Sequence, residues 1–186
     1  MSVEFANAQP NRHGIVIEVP EYGAPELHDT VWLAPGSVVV GDVTIGEASS
    51  VWYNAVVRGD SDSVRIGART NLQDGVVVHT QAGCPALIDD DVSVGHGAIV
   101  HGAHVERGCL VGMNATVLSG AVIGQGSLVA AGAVVPQGMR VPPGSLVAGV
   151  PARVVRELRE SDREAVRLNA ERYAGYTAAH QSATRG

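Results

Sequence analysis

The chain has 186 residues, a formal charge of −6, 45% apolar and 17% charged residues, a balance that fits one soluble domain and argues against nucleic-acid or anionic-membrane partners, which attract basic surfaces. Aromatic residues make up only 4% while glycine reaches 23, so the interior has to be built from small and β-branched side chains. Cys84 and Cys109 read as two reduced thiols, and with no basic-then-apolar leader and no apolar run of roughly 18 residues the sequence points to a cytoplasmic protein that does not span a membrane.

Residues 1–30, with Glu4, Arg12, Glu18 and Glu21 scattered among prolines, are expected to form a lead-in segment. From there aliphatic residues recur every six positions: Leu33, Val39, Ile45, Val51 and Val57, then Ile66, Leu72 and Val78, then Ile88, Val94 and Val100, and finally Val105, Val111, Val117, Ile123, Val129, Val135, Val141 and Val147. Small residues follow four places later, as at Ala55, Ala98 and Ala115, and glycine often comes directly after the aliphatic residue. Six residues make one short strand and a turn, so three units close a triangular coil of about eighteen residues with the aliphatic side chain inside. Six or so coils, stacked at about 4.8 Å, give a prism roughly 30 Å tall over residues 31–151. The expected fold class is all-β, a parallel β-helix. Its count slips in three places, with three extra residues before Ile66, four before Ile88 and one fewer before Val105, and loops are expected to leave the prism there. Trp32 and Trp52 share an outward column on the first face, which suggests subunit packing. After Val150 the repeat stops, and residues 152–186 read as a C-terminal α-helix and tail. Ser161-Asp162-Arg163-Glu164 is the capping box expected to open the helix, and Val166, Tyr173 and Tyr176 form a stripe expected to pack on the prism.

The hexads starting at Val57, Val78 and Val100 fall on one face in successive coils, so Arg58, His79 and His101 form a column. Two imidazoles one strand spacing apart can share a metal with bonds of about 2.0–2.1 Å. His96 falls on the preceding face, in a column with Tyr53, Asp74 and Met113. A three-fold arrangement would bring one chain's His96 to another chain's His79 and His101, so a homotrimer with metal at its subunit interfaces is expected; three ligands from one chain are the alternative. Three neutral imidazoles with an open fourth position are the catalytic-zinc pattern. His13, His28, His104 and His180 read as ordinary surface or packed residues, Met113 as filler and Cys84 as an inert loop thiol.

The segments Val57 to Asp60 (VRGD), Asn71 to His79 (NLQDGVVVH) and Val94 to Gly102 (VGHGAIVHG), with the ending Gly149-Val150-Pro151-Ala152, resemble the γ-class carbonic anhydrases and their bacterial relatives from about Val31 to Leu158. The resemblance implies a left-handed β-helix, and reversible hydration of CO2 to bicarbonate by a metal-bound hydroxide. It implies His79 and His101 as ligands from one subunit and His96 from the next, with zinc, or Fe(II) or Co(II), as the metal. It assigns Arg58 and Asp60 to an inter-subunit ion pair near the site and Asn71, Gln73 and Asp74 to its polar lining, Gln73 holding solvent or bicarbonate. The chain departs from the family in its proton-transfer glutamates: Ser61 follows Asp60, and Thr80 to Ala86 contains no acid, which leaves Asp62 as the substitute. Other functions compatible with the pattern are a metal-dependent acyl-CoA thioesterase, a non-catalytic trimeric scaffold, and a hexapeptide acyltransferase with a histidine base and no metal.

Overall fold

The structure, a computed structural model, describes residues 13–183. The start of the lead-in, 1–12, and the end of the tail, 184–186, lie outside the described residues. Each hexad forms the short strand that its aliphatic residue predicts, and parallel pairing stacks like on like. Leu33, Val51, Leu72, Val94, Val111, Val129 and Val147 line one sheet. Val39, Val57, Val78, Val100, Val117 and Val135 line the second face, and Ile45, Ile66, Ile88, Val105, Ile123 and Val141 the third. These side chains are buried in one continuous core, and full burial of each contributes about 1.5–3 kcal/mol. The fold is the expected parallel β-helix with a C-terminal helix.

Turns at the corners need left-handed backbone, which glycine and asparagine supply at least cost. Gly97 has φ 66° and Asn114, one coil on, has φ 55°. A Cβ on Gly97 would come 2.4 Å from Asn114 Oδ1, so the asparagine needs a glycine beneath it.

The insertions behave differently from one another. The three residues added before Ile66 do not leave as a loop. Val56–Ile66 is one strand that turns the corner beside Val38–Ile45, with the register shifting between Gly41 and Val43, and it joins the second and third faces into a twelve-stranded sheet. Backbones approach so closely there that a Cβ on Gly41 would meet Gly59 O at 2.3 Å. The four residues added before Ile88 do form a turn, closed by paired hydrogen bonds between Gln81 and Cys84. Where a residue is missing, Gly102 adopts φ 54° and tightens the corner.

Both ends depart from the sequence reading. Ile15–Ile17 pairs with Val38–Val40 and Glu26–Leu27 with Thr44–Ile45, so the lead-in already forms the first turn. Ala152–Glu157 is a strand, not helix, and returns antiparallel along Ser145–Gly149. The helix Glu160–Ala183 starts one residue before the expected capping box. Asp162, rather than Glu164, reaches back, accepting the Arg159 N–H at 2.7 Å and pairing with Arg156 at 2.6 Å. The helix lies on the first face. Trp32 and Trp52 are buried beneath it, 5.0 Å apart edge to face, with Tyr173 5.2 Å from Trp52 and His180 5.0 Å from Trp52. The tryptophan column therefore seats the chain's own helix instead of a neighbouring subunit. Among the described residues no helix is long and apolar enough to cross a membrane.

Candidate metal centre

Two polar clusters form on adjacent faces, and together they contain all eight residues singled out from the sequence. The first sits on the second face. His79 and His101 are in register on neighbouring strands, with His79 Nδ1 3.2 Å from His101 Nε2. Two ligand nitrogens on one tetrahedral zinc are separated by about 3.3–3.4 Å, so the spacing fits a shared metal. Each ring is also held from behind, as metal-ligating histidines usually are. Asp60 Oδ1 lies 3.0 Å from His79 Nε2 and Ser119 Oγ 2.9 Å from His101 Nδ1. Arg58 completes the cluster by donating to Asp60 at 2.5 Å. Burial raises the Asp60 carboxyl, but hydrogen bonds from Arg58 and then His79 outweigh it and hold the group below the usual carboxylate range. Burial, followed by the charge of His79, pushes His101 below the ordinary histidine value, which favours the neutral ring a metal requires.

The second cluster sits on the first face, at the turn Gly95-His96-Gly97. Asp74 Oδ2 is 2.8 Å from His96 Nδ1, and an ionised carboxylate can only accept. His96 Nε2 therefore carries the lone pair, and it accepts from the Tyr173 hydroxyl at 3.0 Å. Burial and then the charge of Asp74 push the Tyr173 phenol up to about 12, so it stays a donor. Gln73 is buried, and its Oε1 accepts the His96 backbone N–H at 3.2 Å. Its amide donates to Asn71 Oδ1 at 3.1 Å and, more loosely, to Asn169 Oδ1 at 3.5 Å. Asn71 in turn donates to Ser93 Oγ at 2.8 Å. Asn71, Gln73 and Asp74 thus brace His96 and do not touch the His79–His101 pair.

Among the described residues of the single chain, no three His, Cys, Asp or Glu side chains converge as a metal site requires. Asp62 uses its carboxylate to accept the Ser63 N–H at 2.7 Å and lines a surface depression with Glu21, Tyr22 and Asp42. Sequence reasoning missed Ser119 and Tyr173. Ser119 stands eighteen positions after His101, one coil length, and that spacing was the available signal. Tyr173 is placed by helix docking, which the hexad count does not address. Cys109 is buried and its thiol is pushed up to about 12 by that burial, so it is inert.

Residues 102–137 match the bacterial transferase hexapeptide (six repeats) family model. Over 147 residues, 79% of this chain and 92% of the relative, the sequence is 60% identical to a protein of Methanocaldococcus jannaschii named "Probable carbonic anhydrase". The chain belongs to the γ-carbonic anhydrase-like family. A Geobacillus kaustophilus protein named carbonic anhydrase is 46% identical over 79% of this chain and 81% of its own length. A crystal structure from Bacillus cereus, provisionally described as an acetyltransferase, is 36% identical with a TM-score of 0.88, covering 91% of this chain and 98% of that one. The fold shared with that structure therefore extends over most of the chain's length.

Proposed function

We propose that the protein is a metal-dependent carbonic anhydrase that interconverts CO2 and bicarbonate at sites shared between subunits of a homotrimer. One observation carries the reading. Each chain presents two half-sites on adjacent faces: a chelating pair, His79 and His101, and a single braced imidazole, His96, whose lone pair is occupied by a hydroxyl. Cyclic symmetry lets the pair of one subunit meet the single histidine of the next, completing the three-imidazole set. A zinc, Fe(II) or Co(II) ion held there supplies a Lewis acid that acidifies water at neutral pH.

The protein's own residues then have separable tasks. Asp60, locked by Arg58, keeps the His79 ring turned toward its partner. Asp74 fixes the His96 tautomer so that Nε2 is free to ligate once Tyr173 yields it. The Gln73 amide nitrogen stands 3.5 Å from Asn169 Oδ1, and the hydrogen it directs there is the one available to a bicarbonate oxygen. Asp62, the expected substitute for the family's proton-transfer glutamates, is turned to the Ser63 N–H in a surface depression, so proton removal is left to solvent and buffer. The acidic net charge and the absence of a membrane-crossing helix among the described residues fit a cytoplasmic enzyme.

The reading is tested by metal analysis of the purified protein together with stopped-flow CO2 hydration by wild type and His101→Ala. About one metal per chain, with both metal and hydration lost in the variant, is expected. Metal without hydration would point to thioester hydrolysis or a scaffold role; wild type that takes up neither Zn(II) nor Fe(II) would eliminate the site.

A further inference from the structure

The proton positions around His101 are set by a relay that reaches into the turn closed by Gln81 and Cys84. Ser119 Oγ lies 2.9 Å from His101 Nδ1 and donates its only hydrogen to Gln81 Oε1 at 3.1 Å. A carbonyl oxygen cannot donate, so Ser119 has only a lone pair to offer the imidazole, and His101 Nδ1 must carry the hydrogen. The lone pair of the neutral ring then sits on Nε2, the atom 3.2 Å from His79. On the other side the Asp60 carboxylate requires a hydrogen on His79 Nε2, which leaves Nδ1 of a neutral His79 bare. Two lone pairs face one another, an arrangement that a cation relieves.

The relay is built into the fold. Ser119 is 6% exposed. Gln81 is pinned by the Cys84 N–H donating to Gln81 O at 2.7 Å and by its own N–H donating to Cys84 O at 3.3 Å. The turn rests on Gly102, where a Cβ would come 2.9 Å from Cys84 O and 3.2 Å from Ser119 Oγ. The space needed for the relay exists because residue 102 has no side chain.

We propose that Ser119 and Gln81 are positioning residues that fix the tautomer of His101 and so aim its Nε2 lone pair at the metal, making the inserted turn part of the metal-holding apparatus. The proposal rests on the metal-site reading above. It is tested on the full-length protein by competing bound Zn(II) against a chelator of known affinity in wild type, Ser119→Ala, Ser119→Thr and Gln81→Leu. Ser119→Ala is expected to bind about 10–100-fold more weakly, and Ser119→Thr, which keeps the hydroxyl, to recover most of the loss. Gln81→Leu frees the hydroxyl to turn and donate to His101, so it too should weaken binding. In metal-free protein, 1H–15N correlation spectra should report His101 with its hydrogen on Nδ1 in wild type and a shift toward Nε2 in Ser119→Ala. Unchanged melting temperatures of the metal-free variants separate positioning from a loss of fold. Wild-type zinc affinity in Ser119→Ala, or the same His101 tautomer in both proteins, would overturn the proposal while leaving the metal site standing. Wild type that binds no zinc would overturn the site reading itself.

Discussion

Asp60 is the residue whose loss should be felt most without disturbing the core, because it is partly exposed yet supports His79 directly. Asp60→Asn removes the charge that favours a hydrogen on His79 Nε2 and leaves Arg58 without its carboxylate. Metal affinity is expected to fall about 10–100-fold, the range for loss of an outer partner of a ligand, as measured by chelator competition. Thermal stability of the metal-free chain should hold near wild type, and undiminished affinity would remove Asp60 from the site. The His79–His101 pairing could be read from the sequence because period arithmetic alone puts the two on one face and in one register. Their more distant supports could not. Ser119 stands one coil after His101 and could have been found by the same count, but its contact with Gln81 across 38 positions and that of Tyr173 with His96 across 77 follow no coil spacing. Those contacts depend on how a turn folds back and where a helix docks.

The C-terminal helix illustrates both the reach and the limit of local sequence signals. Its existence and most of its apolar stripe follow from residue spacing, since Val166 is buried and Tyr173 packs on Trp52, but Tyr176, expected in the same stripe, is half exposed. The start of the helix does not follow from spacing, because Asp162 accepts the Arg159 N–H and pairs with Arg156 of the preceding strand, a partner the local capping pattern does not include. The strand Ala152–Glu157 was illegible for a related reason. It lacks the hexad, and it is a strand only because Ser145–Gly149 offers an edge to pair with. The Asp162 anchor should be visible in acid. Hydrogen bonds from Arg156 and from the Arg159 N–H lower its carboxyl from 3.8 to about 2. A carboxyl depressed in the folded state contributes stability above its unfolded value, and that stability is lost as pH falls through the folded one. The difference in melting temperature between wild type and Asp162→Ala, followed by tryptophan fluorescence at the helix-covered Trp32 and Trp52, should be full at about pH 5 and close toward pH 2. A gap that persists unchanged to pH 2 would place the stabilisation elsewhere.

For the whole molecule, the proposed trimer, with His79–His101 and His96 on different faces, would make assembly and chemistry the same event. Co-expressed His96→Ala and His101→Ala chains provide the decisive experiment. Every mixed trimer contains one interface at which an intact pair meets an intact His96, so random assembly of equal amounts should restore about a quarter of wild-type metal and hydration. Neither variant alone should show any, and ligands drawn from a single chain would give none in the mixture either. The architecture was the most legible level of all, because the aliphatic hexads state it redundantly, whereas the lead-in escaped notice since Val16 and Leu27 lie eleven residues apart, not six. The hexads also set the terms on which such a chain can change. Val111, Val129 and Val147 occupy one face at intervals of one full turn, so beyond Val129 the prism could grow or shrink by eighteen residues and leave the His79–His101 pair in register, but the helix that carries Tyr173 to His96 would be displaced by one coil. A single residue gained between Val94 and Val100 would carry His101 off the register of His79 and exchange inward for outward side chains. Strands in this fold are fixed residue by residue, and spare length is accepted only at corners, as the Gln81–Cys84 turn between His79 and His101 shows.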